Sequence, residues 1–448
     1  MVSKFMSEEQ TVKSFYKNYD YHARKPYFID ERDLTEQQLK RLTESETFCM
    51  LPWVHMHAFP DGRTYPCCLS EYWHPVGDLR KNTMQEVWNQ DAYKQMRINM
   101  LNDQPCKECT KCYENEHNGA FSMRNDANRN YGHLISEVDQ TEVDGSHPEF
   151  KIRYWDVRFS NLCNFRCRSC GPIFSSNWYN DHVKLYNRVP DVLNRPMERI
   201  EYTTGDEDGM IAQMEPHIPY LEQVYFAGGE PLIMKEHYYL LEQLVKHNKN
   251  DVRIQYNTNF SELRYKDKHV FDYWKNFTNV SVGASLDAMG PQAELIRKGT
   301  DWQQTENNRR RMIEETPHVD FYVSATVSAM NVLHVLDFHR AWVEKELIRA
   351  KDFNVNICQS PEWYRVDIFP TWFKEEVIYP AYEQHIEWLE PQDDLKRATT
   401  GFRSLLNMMQ ANDASEHWNR FVEETEKLDR VRNENFWDLF SEFKKLKP

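Results

Sequence analysis

Three cysteines lie within eight consecutive residues of this chain, at positions 163, 167 and 170. They follow residues 154–159, which have the aromatic and β-branched character of a buried strand, and they precede Gly171, Pro172 and a helical pattern. We therefore expect the three thiols on a loop at the carboxyl end of a strand. Three thiolates can ligate three irons of a four-iron, four-sulfur cluster and leave the fourth iron open to an exogenous ligand. Structural zinc is the alternative, although zinc usually takes a fourth Cys or His nearby.

A second group of six cysteines lies upstream, at positions 49, 67, 68, 106, 109 and 112. Residues 54–59 alternate like a strand, residues 60–62 form a turn, and residues 63–68 return as the second strand of a hairpin. This hairpin would bring Cys49 and Cys67 toward each other, and Cys109-x2-Cys112 supplies a later pair. Grouped cysteines of this kind more often bind metal than form disulfides in a cytosolic protein, and four cysteines in two pairs also fit a zinc ribbon.

Polar and glycine residues follow three other strand-like runs. They are Gly228-Gly229-Glu230-Pro231, Thr258-Asn259 and Ser285-Leu286-Asp287. The two glycines leave room for a ligand to approach the backbone, and the carboxylate of Glu230 suits an ammonium group. Pro231 fits the first turn of a helix, where its missing N–H is not needed.

Six strand-like runs alternate with helical patterns between residues 151 and 358, which indicates parallel β/α units. We therefore expect an α/β fold with an open, partial (β/α)6 barrel, whose functional residues gather at the carboxyl ends of the strands. A Cys-rich β-hairpin plus helix module at residues 48–125 would precede the barrel. Residues 1–47 are expected to form a helical arm, residues 126–150 a linker, and residues 359–448 aromatic loops and helices that cover the barrel.

The spacing Cys163-x3-Cys167-x2-Cys170 resembles the cluster motif of the radical S-adenosylmethionine (radical SAM) superfamily, and Gly228–Pro231 resembles the segment of that family that contacts the SAM amino group. The resemblance implies a 4Fe–4S cluster on the three cysteines that binds SAM at its open iron. It also implies that SAM is bound by the residues listed here: Gly228, Gly229, Glu230, Pro231, Thr258, Asn259, Ser285, Asp287 and Arg297. Arg297 would hold the SAM carboxylate, a task that suits a guanidinium group.

The upstream cysteines resemble the twitch or SPASM modules that carry auxiliary iron–sulfur clusters in some radical SAM enzymes. The resemblance implies an auxiliary 4Fe–4S cluster on Cys49, Cys67, Cys109 and Cys112, with Cys68 and Cys106 as competing ligands. In such relatives the module usually follows the barrel, whereas here it precedes it. His55 and His57 lie on one face of the hairpin strand, where ordinary hydrogen bonds are the expected role.

Composition sets the remaining limits. A net charge of −15 argues against general nucleic-acid binding, and 40% hydrophobic residues support a substantial core. No apolar run is long enough to span a bilayer, and the N-terminus lacks the apolar core of a secretion signal, so we expect no membrane association and a cytoplasmic location.

These observations lead to one expected function with two alternatives. The expected function is a radical SAM enzyme that takes electrons from a flavodoxin- or ferredoxin-type reductant and abstracts hydrogen from a peptide or protein side chain. Radical modification of a small metabolite is the first alternative. A non-catalytic metal-binding protein is the second. The sequence singles out no residue that supplies or accepts the final hydrogen.

Overall fold

A nine-stranded sheet organises the computed structural model, which describes residues 33–117 and 122–447. Across the sheet the strands are Phe353–Ile357, Asp320–Val327, Val280–Ala284, Arg253–Thr258, Gln223–Phe226, Tyr154–Val157, His55–Ala58, Arg63–Tyr65 and Gly77–Asp78. The first six are parallel to their neighbours, as the alternating strand and helix patterns predicted. The α/β class and the six parallel strands of an open barrel are thus confirmed.

The register of these strands places polar side chains in one row and apolar side chains in the next. Asp156, Tyr225, Gln255, Ser281 and Asp320 are aligned across five neighbouring strands. The adjacent row contains Trp155, Val224, Ile254 and Val280, all of them buried. Since helices cover the outside of a parallel barrel, the apolar row packs against helices and the polar row faces the interior.

The cysteine-rich module continues the barrel sheet. Strand His55–Ala58 runs parallel to Tyr154–Val157, with His57 opposite Asp156, and it forms the expected antiparallel hairpin with Arg63–Tyr65. The hairpin was predicted, but its parallel junction with the barrel was not. The auxiliary module and the barrel therefore share one sheet.

Helices from the N-terminal part, the barrel and the C-terminal region surround this sheet. In the N-terminal part they are Glu36–Thr43, Leu51–Val54, Met84–Trp88, Asp91–Leu101, Thr110–His117, Met123–Tyr131 and Ile135–Val138. In the barrel they are Trp178–Tyr186, Gly209–Met214, Lys235–Lys246, Val270–Trp274, Gly290–Ile296, Trp302–Glu315 and His334–Glu344. The C-terminal helices include Tyr379–Leu389, Arg397–Ala411, Trp418–Arg432 and Phe436–Leu439, which confirms the helical C-terminal region. The expected N-terminal arm is represented by Glu36–Thr43, while residues 1–32 lie outside the described part.

The segment 126–150, expected to be a linker, is in large part helical and buried. Helix Met123–Tyr131 begins at Ser122, whose side chain and that of Asn125 form a capping box. Ala127, Tyr131 and, farther on, Ile135 are buried in the core. Asn128 of this segment makes buried hydrogen bonds, so the polar composition accompanies helical structure over residues 126–138, while the division of the chain into domains stays a prediction.

The C-terminal helices pack directly on the barrel. Helix Arg397–Ala411 lies on the edge strand Phe353–Ile357, where a Cβ added to Gly401 would be 3.0 Å from that of Val355. Helix Trp418–Arg432 packs against Trp178–Tyr186, the helix that follows the three-cysteine loop. Among residues 33–117 and 122–447, no helix has both the length and the apolar character that crossing a membrane requires.

Candidate functional site

The loop that carries Cys163, Cys167 and Cys170 leaves the carboxyl end of strand Tyr154–Val157, as expected. Its backbone runs beside residues 296–298: the N–H of Arg166 donates to the Lys298 carbonyl at 2.9 Å, and that of Arg168 donates to the Ile296 carbonyl at 2.7 Å. The indole N–H of Trp178 donates to the carbonyl of Cys167 at 2.6 Å. These contacts fix the path of the loop between two barrel elements.

The three thiols of this loop lie in a poorly solvated environment. Burial raises the pKa of the Cys170 thiol to about 12, and it raises the pKa values of Cys163 and Cys167 as well. The positive charges of Arg297 and Arg432 oppose this rise at Cys167 and Cys170. Buried thiolates need cations close to them, which is what an iron–sulfur cluster provides, so the donor set fits that group.

Gly229 packs against the backbone that leads into the cysteine loop. A Cβ on Gly229 would lie 2.0 Å from the carbonyl oxygen of Leu162, and the next residue, Glu230, donates its N–H to that oxygen at 2.7 Å. Gly228 has a φ of +116°, a conformation that favours glycine. The sequence suggested that a ligand approaches these glycines. The group that approaches Gly229 in the structure is the cysteine loop itself.

Glu230 is buried beside this loop, and its carboxylate accepts three hydrogen bonds. The hydroxyl of Thr258 donates at 2.7 Å, the N–H of Asn259 at 2.7 Å and the N–H of Leu232 at 3.1 Å. Burial nevertheless raises the pKa of Glu230 to about 7. Thr258 and Asn259, predicted to bind the cofactor, therefore orient the carboxylate of Glu230, and the Asn259 amide also donates to Asn164 of the loop at 2.8 Å.

Arg297 and Asp287 form a bidentate ion pair. The Arg297 Nε and Nη2 atoms lie 2.8 and 2.9 Å from the two Asp287 oxygens, and its Nη1 atom lies 3.8 Å from the Cys167 sulfur. Asp287 also accepts the N–H of Thr326 at 2.8 Å. Ser285 directly follows strand Val280–Ala284, and its N–H donates to the carbonyl of Thr258, at the end of the adjacent strand, at 2.7 Å. The strand ends thus gather a carboxylate, a guanidinium and the three thiols around one loop.

A cavity in the N-terminal module is lined by Cys49, Cys67, Cys109 and Cys112, together with apolar residues and the charged residues Glu108, Lys111 and Arg124. Burial raises the pKa of Cys67 to about 11 and also raises the pKa values of Cys49 and Cys112, while a hydrogen bond with Cys106, together with burial, raises the pKa of Cys109. The four thiols therefore need positive charge near them, as an iron–sulfur cluster would provide. The structure brings together the four first-choice ligands.

The two competing cysteines do not line this cavity. Cys106 hydrogen-bonds with Cys109, and its sulfur lies 3.8 Å from the Met96 carbonyl oxygen, outside the cavity lining. Cys68 lies near Asp156 and Arg158 of the barrel, whose charges act on its thiol. This separation could not be read from the sequence.

Helix Met123–Tyr131, which spans the boundary between the expected cysteine-rich module and the expected linker, supports the cavity. The guanidinium of buried Arg124 donates to the carbonyls of Ser45 and Phe48 at 2.9 Å each and pairs with Glu116. The Asn128 side chain donates to the Phe48 carbonyl at 3.0 Å and accepts the N–H of Met50 at 2.9 Å. These bonds hold the backbone on both sides of Cys49.

The hairpin histidines, His55 and His57, make ordinary polar contacts, as expected. Both side chains are fully buried. His55 Nδ1 lies 2.8 Å from the Tyr154 carbonyl oxygen, and His57 Nδ1 lies 2.8 Å from Asp156. Burial lowers the pKa of His55 to about 4, which keeps its ring neutral. Across residues 33–117 and 122–447, no three His, Cys, Asp or Glu side chains converge closely enough to hold a single metal ion.

Two family models match the sequence. An iron–sulfur cluster-binding domain, SPASM, matches residues 49–113, and the radical SAM superfamily matches residues 157–334. No curated protein matches the chain.

Solved structures show a more distant likeness. Native anSMEcpe with bound AdoMet is 17% identical, with a TM-score of 0.35 over 53% of this chain and 59% of that chain. Streptococcus suis SuiB bound to S-adenosylmethionine is 12% identical, with a TM-score of 0.35 over 66% of this chain and 64% of that chain. The chain spans less than two thirds of each of these solved chains.

Proposed function

This chain belongs to the radical SAM superfamily and carries its SPASM module before the barrel, and on that premise we propose that it abstracts hydrogen from a peptide or protein side chain. The family brings with it a 4Fe–4S cluster, SAM and an auxiliary iron–sulfur site. When bound, the first cluster supplies one electron that cleaves SAM to methionine and a 5′-deoxyadenosyl radical, which takes hydrogen from the substrate.

One observation carries the proposal: three thiols on a single loop, that of Cys167 buried and those of Cys163 and Cys170 half-buried, lie beside a carboxylate and a guanidinium at the carboxyl ends of the barrel strands. We assign Cys163, Cys167 and Cys170 as ligands of the SAM cluster. SAM carries an ammonium and a carboxylate that require opposite partners. Glu230 and Arg297 offer these two charges on either side of the loop.

The surrounding residues orient these two groups. Thr258 and Asn259 direct the Glu230 carboxylate, and Asp287 holds the Arg297 guanidinium by two hydrogen bonds. Such support restricts the rotamers of the binding groups before SAM arrives, which lowers the entropic cost of binding. Gly228, Gly229 and Pro231 shape the backbone that seats the cysteine loop.

The barrel interior supplies a polar environment for the substrate. Arg158 pairs with Asp156 at 3.0 Å and lies over the ring of Tyr225 at 5.7 Å. The hydroxyl of Tyr322 and the Asn257 amide oxygen both lie within 2.8 Å of where a Cβ on Gly283 would be, so glycine allows these two polar groups to pack against this strand. The amides and charges of this interior suit a ligand rich in hydrogen-bonding groups, such as a peptide backbone.

The auxiliary module supports the choice of a peptide or protein substrate, because the resemblance to SPASM-containing enzymes implies such substrates. We propose that Cys49, Cys67, Cys109 and Cys112 hold the auxiliary cluster. The hairpin that carries Cys67 shares its sheet with the barrel, so the two sites are joined through the pairing of His55–Ala58 with Tyr154–Val157. An external flavodoxin- or ferredoxin-type protein would supply the electron.

The test is anaerobic reconstitution of the full chain with iron and sulfide, followed by dithionite and SAM. We expect 5′-deoxyadenosine from the wild type, none from Cys167→Ala and unchanged cleavage from Cys106→Ala, the matched buried cysteine. Equal product from all three proteins, or none from the wild type, would contradict the proposal.

The substrate is tested separately by mass spectrometry. A candidate peptide encoded beside the gene should stimulate 5′-deoxyadenosine formation and change its own mass. Stimulation by a metabolite extract with no response to any peptide would assign the enzyme to small-molecule substrates instead.

A further inference from the structure

A buried network of charges joins the cysteine loop to the C-terminal helix Trp418–Arg432. Arg168, between Cys167 and Cys170, pairs with Asp429 and with Glu434, whose oxygen lies 2.6 Å from Arg168 Nη2. The side chain of Arg168 is 0% exposed. Asp429 also accepts the N–H of Phe436 at 2.8 Å, which anchors the start of the next helix, Phe436–Leu439, to the same carboxylate.

A second connection runs from the same helix to the same loop. Arg432 Nε donates to Asp181 at 2.8 Å, and the other oxygen of Asp181 accepts from Arg166 of the loop at 2.8 Å. The guanidinium of Arg432 lies 4.8 Å from the ring centre of Trp178, whose indole N–H donates to the Cys167 carbonyl. Arg432 thus lies one side chain away from a proposed cluster ligand.

The charges within this network do not cancel. Four cations, Arg166, Arg168, Lys298 and Arg432, face three carboxylates, Asp181, Asp429 and Glu434. The network, which borders the cysteine loop, therefore carries a net charge of +1.

Several N–H groups of this network have no acceptor within the described part of the chain. They are Nη1 and Nη2 of Arg432 and Nε and Nη1 of Arg168, all buried. A buried guanidinium donor without an acceptor is unfavourable and calls for an explanation. The nearby loop would supply one, because cluster sulfides and thiolate sulfurs accept hydrogen bonds and carry negative charge.

We propose that Arg432, on the C-terminal helix, is a positioning residue of the SAM cluster that raises the cluster's reduction potential. This inference rests on the proposed function, since it requires a cluster on Cys163, Cys167 and Cys170. A cluster becomes more negative by one charge on reduction, so a fixed positive charge and N–H donors beside it favour the reduced form. The C-terminal region, for which sequence patterns gave no chemistry, thereby acquires a role in electron uptake.

The test compares three variants in the reconstituted full chain. Arg432→Gln removes the charge and keeps a donor for Asp181, which also retains Arg166. Arg432→Lys keeps the charge, and Arg430→Gln changes an exposed arginine on the same helix as the matched control. The measurements are iron content and an EPR-monitored redox titration of the signal that changes when SAM is added.

We expect Arg432→Gln to retain its iron and to lose about tenfold in the equilibrium constant for one-electron reduction, about 59 mV toward lower potential. Arg432→Lys and Arg430→Gln should stay near the wild type. An unchanged potential in Arg432→Gln would overturn the inference, and so would loss of iron in both Arg432 variants, which would show a purely structural role. A wild type without any SAM-sensitive signal would contradict the proposed function itself.

Discussion

The Cα of Gly229 faces the carbonyl oxygen of Leu162 so closely that an added Cβ would lie 2.0 Å from it. This contact joins the strand end that carries Glu230 to the first residue before Cys163. Backbone atoms on both sides leave no flexible side chain to give way. The glycine is therefore required by the seating of the cysteine loop.

Gly229→Ala should displace the cysteine loop and lower the iron content from about eight to about four per chain, because only the auxiliary cluster would remain. Overpacking of this kind costs about 1–3 kcal/mol of stability. Gly171→Ala is the matched control, since a Cβ on Gly171 would meet nothing within 4 Å. Iron and sulfide analysis measures the outcome, and equal iron in both variants would show that the contact is unimportant.

Cys67 and Cys68 are neighbours with different predicted roles. Cys67 lines the cavity of the N-terminal module, whereas Cys68 lies near Asp156 and Arg158. Cys67→Ala should lose about four irons and Cys68→Ala none. The same chemical analysis decides between them, and the reverse order would place the auxiliary ligands elsewhere.

Asp287→Asn should weaken SAM binding, because it removes the charged partner that orients Arg297. Hydrogen bonds between charged groups contribute about 1.5–3 kcal/mol, so we expect roughly a tenfold to hundredfold loss of affinity. The affinity is measured by titrating SAM against the EPR signal of the reduced cluster. Arg310→Lys changes an exposed arginine and should have no effect. Full affinity in Asp287→Asn would separate this ion pair from SAM binding.

Glu230 gives a pH dependence whose sign follows from its environment. Burial raises its pKa from 4.5 to about 7, so the folded state holds this proton more tightly than the unfolded chain. The contribution of Glu230 to stability is complete below about pH 4.5 and is lost as the pH rises to about 7. Denaturant unfolding of the SAM-free protein at pH 5 and pH 8 should show a smaller difference in Glu230→Gln than in the wild type. Exposed Glu314→Gln should match the wild type, and an identical difference in all three proteins would contradict this assignment.

Much of the fold could be predicted because local patterns determine it. The six parallel strands follow from alternating strand and helix signals, and the hairpin follows from the turn at residues 60–62. The parallel pairing of His55 with Tyr154 could not be predicted, since it joins segments 99 residues apart. The helical course of residues 126–131 was not predicted from the sequence, because polar residues such as Asn128, which binds a buried carbonyl, are typical of loops.

The candidate site likewise contains local motifs that the sequence predicts and long-range contacts that it does not. The cysteine spacing and the Gly-Gly-Glu-Pro segment are local, and the structure places them together. The contact of Arg168 with Asp429 spans 261 residues and has no signal in the sequence. Likewise, the spacing of Cys106, Cys109 and Cys112 does not reveal that Cys106 lies outside the cavity lining, because that depends on how a short helical turn packs.

The central claim is that Cys163, Cys167 and Cys170 hold a cluster with one iron left open for SAM. Pulsed EPR of the reduced protein with SAM isotope-labelled at its amino nitrogen tests this most directly. We expect a magnetic coupling between that nitrogen and the cluster in the wild type and in Cys67→Ala, and none in Cys167→Ala. A reduced cluster in the wild type that shows no coupling to the labelled nitrogen at saturating SAM would contradict this claim.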